Sequence, residues 1–406
     1  PNDPVRKVTT MIPRRWAHRE PAEYATIRRW MKEEGPESLN AVAEWENRIA
    51  AYVGVPGAAA VNSGRQGLRI VMERLGIGAG DEMVVPAYTL GEMLPFVQSL
   101  GVKLVPADID PCTFNITPGS VEQRITPKTK AVLALHVFGM PCDIEGISAL
   151  AARHSLLLIE DCAHALGATV KDRKAGSFGD AAFFSFEVTK MINTYGGGIV
   201  CARDQAIVEA IRAFNGNEPA GYVTLSRKLD STLLEKWLFR TRLMYLPLFL
   251  LASPRLQPLM NKLYRGSQQT QKKRERYMPA QARIGLRKLD TLAERLELRR
   301  NRAALLTSLL KPDIRPQQTP EGALSTWYFY VALVPGDAAH IRQRLLIRGV
   351  DAGAGNEIMD NCAALLGYDD CPRAEEVFSH ALALPMYDGI SEKACERVAK
   401  TLNRLV

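Results

Sequence analysis

Short apolar runs alternate with amphipathic segments over residues 57–205, which predicts alternating strands and helices. The apolar runs begin at residues 58, 82, 103, 131, 156, 181 and 196, and Gly, Pro or Asp bounds them. Segments with helical spacing, such as GLRIVMERLGI and ISALAARH, lie between several of them. Near-continuous apolar strands alternating with helices are typical of a parallel sheet covered on both faces. We therefore predict an α/β fold with a mostly parallel central sheet.

The same pattern divides the chain into successive segments. An N-terminal arm and a helix over 39–52 fill residues 1–56, and the large α/β domain takes residues 57–216. The tail reads as strand, helix and closing helix, which predicts a smaller α+β domain. The segments between these two domains are an apolar and basic insertion, 217–275, and a long helix linking the domains, 276–310; the smaller domain is 311–406. We expect the many charges over 281–310 to form a solvated helix face.

Composition excludes several classes of protein. The 406 residues are 47% hydrophobic and 24% charged, as in folded globular proteins. The net charge of +8 suits anionic substrates or lipid head groups, but no nucleic-acid motif accompanies it, so we expect no nucleic-acid partner. Seven scattered cysteines without a CxxC pair predict reduced thiols, a cytoplasmic location and no metal site. The polar, proline-broken start of the chain predicts no signal peptide.

Candidate chemistry follows the ends of the predicted strands, where parallel sheets bind ligands. Lys190 follows the strand AAFFSF, whose Ser185 also lies at the ligand edge, and precedes Gly196–Gly198. An amine at such an edge suits imine formation, and the glycines would let a planar ligand approach the backbone. A solvated loop lysine is the alternative.

Two further motifs lie at the same predicted edge. Asp161 and His164 follow the strand LLLIE. A carboxylate at this position can bind the protonated pyridine nitrogen of a cofactor. A helix cap and a core histidine are the alternative interpretations. Gly64, Arg65 and Gln66 open a helix after the strand AAAV, and such a helix start can bind a phosphate.

The order of these motifs resembles the DegT/StrS family of pyridoxal-phosphate (PLP) sugar aminotransferases, which have fold type I. The matching segments are NSG at 62–64, GIGAGDEMVVPAYT at 76–89, the stretch 105–144, IEDCAHALGA at 159–168, KAGSFGDAAFFSFEVTK at 174–190, GGGIV at 196–200, QARIGL at 281–286 and LALPMYDGISEKACERVAKTL at 382–402. The resemblance covers most of the chain apart from one insertion.

The resemblance implies a role for each candidate residue. Lys190 would hold PLP as an imine and move protons, Asp161 would face the ring nitrogen, and His164 would lie near the ring hydroxyl. Tyr88 or Leu90 would cover the ring face. The phosphate would be held by Gly64, Ser185 and the backbone amides of Arg65 and Gln66, and by Arg274 and Arg276 from the neighbouring subunit of a homodimer. The family also contains dehydratases with histidine in place of this lysine, so Lys190 favours amino transfer.

The chain departs from the family pattern where the substrate is expected. Arg65 replaces a threonine of the phosphate turn, Leu90 replaces an aromatic residue, and Gly196 replaces a glutamate. The usual His-Tyr-Pro loop is absent, and DAGAG (351–355) stands in its place. We therefore expect the core chemistry to be kept and the contacts to the acceptor to be changed.

The insertion contains an apolar and basic stretch over 233–266. Its uncharged run, 243–254, is too short to span a bilayer and contains a proline. Leu, Trp and Phe between Lys and Arg residues are typical of a helix that lies in a membrane interface. A helical hairpin that caps the core or forms a dimer interface is an equal alternative.

The predicted function is transfer of an amino group from an amino acid, glutamate being the expected donor, to a keto sugar or related ketone. The membrane interpretation would make this acceptor a lipid-linked sugar and the enzyme peripheral on the inner face of the membrane. A PLP-dependent dehydratase, or a catalytically weak regulatory protein at the membrane, is the alternative.

Overall fold

The fold is described from a computed structural model, which covers residues 11–240 and 274–406. The part of the insertion from 241 to 273, which includes most of the predicted stretch 233–266, lies outside the described residues. Helices in the described residues are α1 Glu23–Lys32, α2 Asn40–Val53, α3 Gly64–Arg74, α4 Leu94–Gln98, α5 Pro118–Glu122, α6 Ile144–Arg153, α7 Gln205–Gly216, α8 Tyr222–Arg240, α9 Pro279–Asp290, α10 Leu292–Leu309, α11 Ala338–Ile347, α12 Cys362–Leu365, α13 Pro372–His380 and α14 Glu392–Asn403.

The strands begin with the seven apolar runs noted in the sequence, and short strands lie between and after them. They are β1 Gly57–Val61, β2 Glu82–Pro86, β3 Tyr88–Thr89, β4 Lys103–Ala107, β5 Thr129–Leu135, β6 Leu157–Asp161, β7 Thr169–Val170, β8 Arg173–Lys174, β9 Ala181–Ser185, β10 Gly198–Ala202, β11 Arg315–Pro316, β12 Ala323–Leu324, β13 Tyr330–Leu333, β14 Gly353–Ala354, β15 Asp360–Asn361 and β16 Ala381–Leu384.

Seven strands form the central sheet, in the order β1-β10-β9-β6-β5-β2-β4. Strands β4, β2, β5, β6 and β9 run parallel, whereas β10 is antiparallel to both β9 and β1. The prediction of a mostly parallel central sheet is confirmed.

Both faces of the sheet are covered, because successive side chains of a strand point to opposite faces. Phe184 belongs to one apolar cluster with helix residues such as Trp45 and Ile147, and the preceding Phe183 belongs to another with Leu68 and Val208. This double burial explains why the strand sequences are apolar throughout.

A smaller four-stranded sheet, in the order β11-β13-β16-β14, follows in the C-terminal part. Its own apolar cluster includes Leu345 and Leu402 from the flanking helices. Strand β13 also gives Val331 to the cluster of the large sheet, so the two layers share a core. The N-terminal arm joins the C-terminal part through an isolated parallel bridge between Ile12 and Val350, outside the strands of the smaller sheet. The division of the chain at residue 311 stays a prediction.

Two expectations for residues 281–310 were wrong. The segment is two helices, α9 and α10, which meet at Thr291. Its charges are not all solvated, since Lys288, Arg295 and Arg299 are buried. Carbonyl groups and carboxylates of the loops around them supply hydrogen bonds, which makes burial of these cations possible. The sequence pattern alone does not reveal those partners.

Candidate active site

Lys190 lies in the loop that follows strand β9, and Asp161 is the last residue of the neighbouring parallel strand β6. Because the carboxyl ends of parallel strands meet at one edge, both side chains lie at the same end of the sheet. The Lys190 ammonium group lies over the Tyr328 ring, on which the His164 ring stacks, so the lysine and the histidine also lie together. The sequence prediction of a shared ligand edge therefore agrees with the structure.

Tyr328 is the aromatic neighbour of the lysine. The Lys190 ammonium nitrogen lies 4.7 Å from the centre of the Tyr328 ring. The Tyr328 hydroxyl lies 3.0 Å from the Thr189 hydroxyl. Burial alone would raise the pKa of Tyr328, but the charges of Lys190 and Arg15 outweigh burial and lower it. The Tyr328 hydroxyl thus lies within hydrogen-bond distance of Thr189, and its ring lies beside the amine.

Asp161 is a buried carboxylate with one backbone donor. Its Oδ1 accepts the Ala163 N–H at 2.9 Å in a local turn, and no helix of the described residues begins here, so the helix cap offered as an alternative is wrong. Burial raises the pKa of Asp161 from 3.8 to about 6, although that hydrogen bond and the Lys190 charge oppose the rise. A cationic group placed against this carboxylate would stabilise its ionised form.

We expect Asp161→Asn to stabilise the cofactor-free protein while it damages activity. A raised pKa means that the folded protein holds the proton more tightly, so stability falls as pH rises from 3.8 to about 6. Asparagine removes this penalty, which is up to about 3 kcal/mol at pH 7 and vanishes near pH 3. Denaturant titrations of both cofactor-free proteins at the two pH values measure it. An equal difference at both pH values would contradict this account.

His164 is held between aromatic rings. Its ring stacks on Tyr328 at 4.1 Å between centroids, and Phe138 lies on it at 6.3 Å. Burial first, and then the Lys190 charge, lower the pKa of His164 well below its usual value, so the imidazole is neutral. Its Nδ1 is buried and has no hydrogen-bond partner among the described residues. That nitrogen is available to a ligand.

The predicted phosphate turn opens helix α3. Gly64 is the first helical residue, and the Ser63 hydroxyl caps the helix by accepting the Gln66 N–H at 3.3 Å. The Arg65 side chain is partly exposed, 3.6 Å from Glu92. Ser185 ends β9, opposite Gly198 in the register with β10. A phosphate at this turn would share the Gln66 amide with Ser63 or take its place.

Tyr88 and Leu90 differ in exposure. Tyr88 is fully buried in strand β3, edge-on to Phe138, and its hydroxyl has no hydrogen-bond partner in the described part of the chain. Burial raises the pKa of this phenol. Leu90 is only partly buried and packs on the edge of the same cluster. Its exposed surface makes Leu90 the better candidate to face a planar ring.

Arg274 lies at the end of the insertion 217–275, and Arg276 follows the insertion directly. Arg274 is exposed. The Arg276 guanidinium lies 3.9 Å from Glu34, and its backbone N–H bonds to Pro219. Neither contact involves Lys190, Asp161 or His164 of the same chain. Their role toward a neighbouring subunit stays a prediction.

Two glycines of the run after Lys190 lie against side chains of the protein. A Cβ on Gly197 would lie 2.4 Å from the Tyr277 ring, and one on Gly196 would lie 2.6 Å from the Lys228 ammonium group. Both glycines also have positive φ, at 81° and 122°. Side chains of the protein therefore occupy the Cβ directions of Gly196 and Gly197, and the approach of a planar ligand to this run stays a prediction.

Two buried cations anchor the loop that carries Lys190. Lys288 donates to the Asn193 carbonyl at 2.9 Å, and Arg295 donates to the Met191 carbonyl at 2.7 Å. Each cation is neutralised, Lys288 by Glu23 and Arg295 by Asp388. These contacts hold the backbone just after Lys190 and so restrain the loop that carries its amine.

One cluster in the described residues resembles a metal site. Ligand atoms of His136, Glu160 and Cys162 lie within 4.8 Å of one another. The two Glu160 oxygens, however, accept N–H groups from Gly176, Phe178 and Gly179, and Oε2 lies 3.1 Å from His136 Nε2. The Glu160 oxygens are therefore already occupied by hydrogen bonds, and these bonds stabilise strand β6.

A family model described as the DegT/DnrJ/EryC1/StrS aminotransferase family matches residues 19–221 and 273–403. The chain belongs to this family. The residues between the two matched segments contain the predicted insertion 233–266. The family resemblance inferred from the motifs is thus confirmed, and so is the expected cofactor, PLP, which aminotransferases of the DegT/DnrJ/EryC1/StrS family use.

Three similar proteins illustrate the range of this family. GDP-perosamine synthase of Caulobacter vibrioides is 41% identical over 43% of this chain and 47% of its own. A UDP-N-acetyl-3-dehydro-alpha-D-glucosamine 3-aminotransferase of Acidithiobacillus ferrooxidans is 36% identical over 42% of this chain and 47% of its own. DesI, in its crystal structure with its TDP-sugar product, is 25% identical to this chain in sequence. The two structures superpose with a TM-score of 0.73 over 97% of this chain and 92% of DesI. The chain spans about half the length of the curated relatives it matches.

The residues of this DegT/StrS-type site fit PLP. The buried Asp161 carboxylate can accept a hydrogen bond from a protonated ring nitrogen, and the unpartnered His164 Nδ1 can bind the ring hydroxyl. Lys190 would supply the amine that forms an imine with the PLP aldehyde. A buried imidazole nitrogen without a partner costs free energy, which a ligand would recover.

Sequence analysis missed the residues around these three. Tyr328 was assigned only to a strand, although the aromatic run 327–330 was a signal. The structure stacks Tyr328 on His164. Arg14 and Arg15 were assigned only to the N-terminal arm, yet the Arg15 charge reaches Tyr328.

Proposed function

We propose that this protein is a PLP-dependent aminotransferase that moves an amino group from glutamate to a keto sugar. The observation that carries the proposal is the meeting of the Lys190 amine, the buried Asp161 carboxylate and the unpartnered His164 nitrogen at one sheet edge. Relatives named for perosamine and for a 3-dehydro-glucosamine support the keto-sugar acceptor.

Each residue has a distinct task in this proposal. PLP, when bound, supplies the electron sink for the carbanion formed beside the transferred nitrogen. Lys190 takes the proton from the donor carbon and returns it to the adjacent carbon. Asp161 stays ionised against the ring nitrogen and keeps that nitrogen protonated. Neutral His164 orients the ring hydroxyl, and Tyr328, whose pKa is lowered by the Lys190 and Arg15 charges, shares a proton with the amine.

The experiment is a screen of nitrogen transfer. The purified protein is loaded with PLP and incubated with ¹⁵N-glutamate and a panel of nucleotide-linked and lipid-linked keto sugars, and products are analysed by mass spectrometry. We expect a ¹⁵N-labelled amino sugar and 2-oxoglutarate in equal amounts. Loss of water from the sugar without nitrogen gain would favour the dehydratase alternative, and no change in any sugar would favour the regulatory one.

We infer that the active enzyme is a homodimer in the cytoplasm, with Arg274 and Arg276 directed to the partner's cofactor phosphate. The unsatisfied Arg276 Nε and the exposure of Arg274 support this assignment. A solution mass near that of one 44.9 kDa chain, measured on active enzyme, would contradict it.

We also infer that segment 233–266 docks on an anionic membrane surface. In the part of the chain that the structure describes, no helix has the length and apolar character needed to cross a membrane. The end of α8 exposes Leu233, Leu234 and Trp237, at 38%, 56% and 53% of their surfaces. Apolar side chains beside basic ones suit an interfacial position, and a dimer-interface hairpin remains the alternative.

We expect the protein to float with vesicles of anionic phospholipid in a density gradient. The double variant Leu234→Glu/Trp237→Glu should lose most of the floating fraction, because both changes place charge in the apolar face. Ile347→Glu is the matched control, since Ile347 is 69% exposed on α11. Failure of the unaltered protein to float, or flotation of the double variant at the control level, would exclude the membrane interpretation.

A further inference from the structure

Arg14 is a buried arginine of the N-terminal arm with hydrogen-bonding capacity left over. Its side chain is only 13% exposed, and its Nε and Nη1 atoms are buried without a hydrogen-bond partner among the described residues. Glu357 lies 3.6 Å from Nη1, beyond hydrogen-bond distance, and the nearest Glu357 oxygen already binds Arg342 Nε at 2.6 Å. A buried guanidinium in this state is strongly under-satisfied.

The side chain of Arg14 lies against the wall of the active site. Its guanidinium carbon is 5.9 Å from the centre of the Phe329 ring. Phe329 packs on Tyr328 at 4.5 Å and on Phe138 at 5.7 Å. Tyr328 is the ring over which the Lys190 amine lies. The rings of Phe329 and Tyr328 thus lie between Arg14 and the reacting amine.

The backbone around Arg14 is built to hold it there. The Arg14 N–H donates to Asp351 at 3.0 Å, and its carbonyl accepts the Met386 N–H at 3.1 Å. A Cβ on Gly353 would lie 1.7 Å from Arg14 Nη1, so this position must be glycine for the guanidinium to occupy its place. Gly353 belongs to DAGAG, the segment in which the chain departs from its family.

The local charges leave room for one anion. The groups that act electrostatically on Arg14 are Arg15, Arg342, Asp351 and Glu357. Together with Arg14 they comprise three cations and two anions, a net charge of +1. A carboxylate would neutralise this excess and could accept a charge-assisted hydrogen bond from one of the two free N–H groups.

We propose that Arg14 binds a carboxylate group of the amino donor. The inference rests on the proposed function, since it assumes a donor at Lys190. Glutamate carries a second carboxylate beyond the reacting carbon, and we assign that distal group to Arg14 because the Phe329 and Tyr328 rings lie between Arg14 and the amine. The same guanidinium could take a phosphate of the acceptor sugar, so the experiment has an arm for each anion.

The test measures binding to the PLP-loaded enzyme by calorimetry, with glutarate as an unreactive dicarboxylate and inorganic diphosphate as the second probe. We expect Arg14→Gln to raise the Kd of glutarate about 30-fold or more, because a buried charged partner is lost. Gly353→Ala, which displaces the guanidinium, should also weaken glutarate. Arg29→Gln, an exposed arginine of α1, is the matched control and should change neither Kd.

Each outcome decides the proposal. A selective loss of glutarate binding in both variants supports it. Unchanged glutarate binding in folded Arg14→Gln, a selective loss of diphosphate binding, or no glutarate binding by the unaltered enzyme overturns it. If Arg14→Gln does not fold, Gly353→Ala decides in the same way. Production of ¹⁵N-labelled amino sugar by the unaltered enzyme tests the proposed function separately.

Discussion

Lys190→Ala is expected to remove nearly all amino transfer and to leave PLP bound only by its phosphate and ring contacts. The substitution deletes both the imine-forming amine and the group that moves the proton. General acid–base catalysis alone contributes up to about 10⁴-fold, so we expect a loss of at least about 10⁴-fold in kcat. Steady-state rates with glutamate and the accepted keto sugar measure this loss, and the visible absorbance of bound cofactor reports its attachment.

The control for this prediction is Lys171→Ala. Lys171 is a solvent-exposed lysine of the turn between β7 and β8 and pairs with Glu145 on the surface. It should keep both activity and the absorbance band. A Lys190→Ala variant that retains a tenth of the wild-type kcat would show that another group performs the proton transfer.

Lys288→Met is expected to cause the largest loss of stability. Lys288 is fully buried and donates to Glu23 at 2.8 Å and to the carbonyl and side-chain oxygens of Asn193. Burial lowers the pKa of Lys288, and the Glu23 charge opposes this effect. Removal of the cation leaves Glu23 buried and unpaired, which should cost about 3–5 kcal/mol in the free energy of unfolding. Denaturant titration measures the change.

The double variant Lys288→Met/Glu23→Gln separates lost charge pairing from lost packing. If the penalty comes from the unpaired carboxylate, neutralising Glu23 should recover roughly 2 kcal/mol or more. Lys400→Met, an exposed lysine on α14, should stay near the wild-type value. A single variant Lys288→Met within about 0.5 kcal/mol of wild type would contradict the account of a buried pair.

The two predictions concern the same loop. Lys288 and Arg295 hold the carbonyls of Asn193 and Met191, and Lys190 lies one residue before Met191. Because a misplacement of about 1 Å can reduce catalysis by about 10²-fold, the anchoring cations act as positioning residues. Stability and activity are therefore linked through helices α9 and α10, which the sequence pattern had presented as a solvated surface.

The central sheet and its ligand edge could be predicted from sequence because they depend on local patterns. A buried strand needs an apolar run, and the residue after a parallel strand lies at the ligand edge whatever the rest of the chain does. Asp161 and Lys190 were found in this way. The start of α3 was equally visible, since Ser63 and Gly64 form a helix cap from adjacent residues.

Contacts between residues far apart in the chain could not be predicted. Tyr328 contacts Lys190 although the two residues are 138 positions apart in the chain (328 − 190 = 138). No local sequence pattern indicates that contact. The glycines at 196 and 197 were visible, but the side chains that lie against them come from distant positions, Lys228 in helix α8 and Tyr277 just before helix α9. Arg14 was unremarkable until Gly353 and Phe329 were placed around it.

Reductive trapping of the cofactor tests the central claim most directly. The PLP-loaded protein is treated with borohydride, digested and analysed by mass spectrometry to locate the lysine that carries the reduced cofactor. We predict that the modification lies on Lys190 and disappears when glutamate is added before the reductant. Modification of another lysine, such as Lys174 or Lys228, or of none, would contradict the assignment of this site.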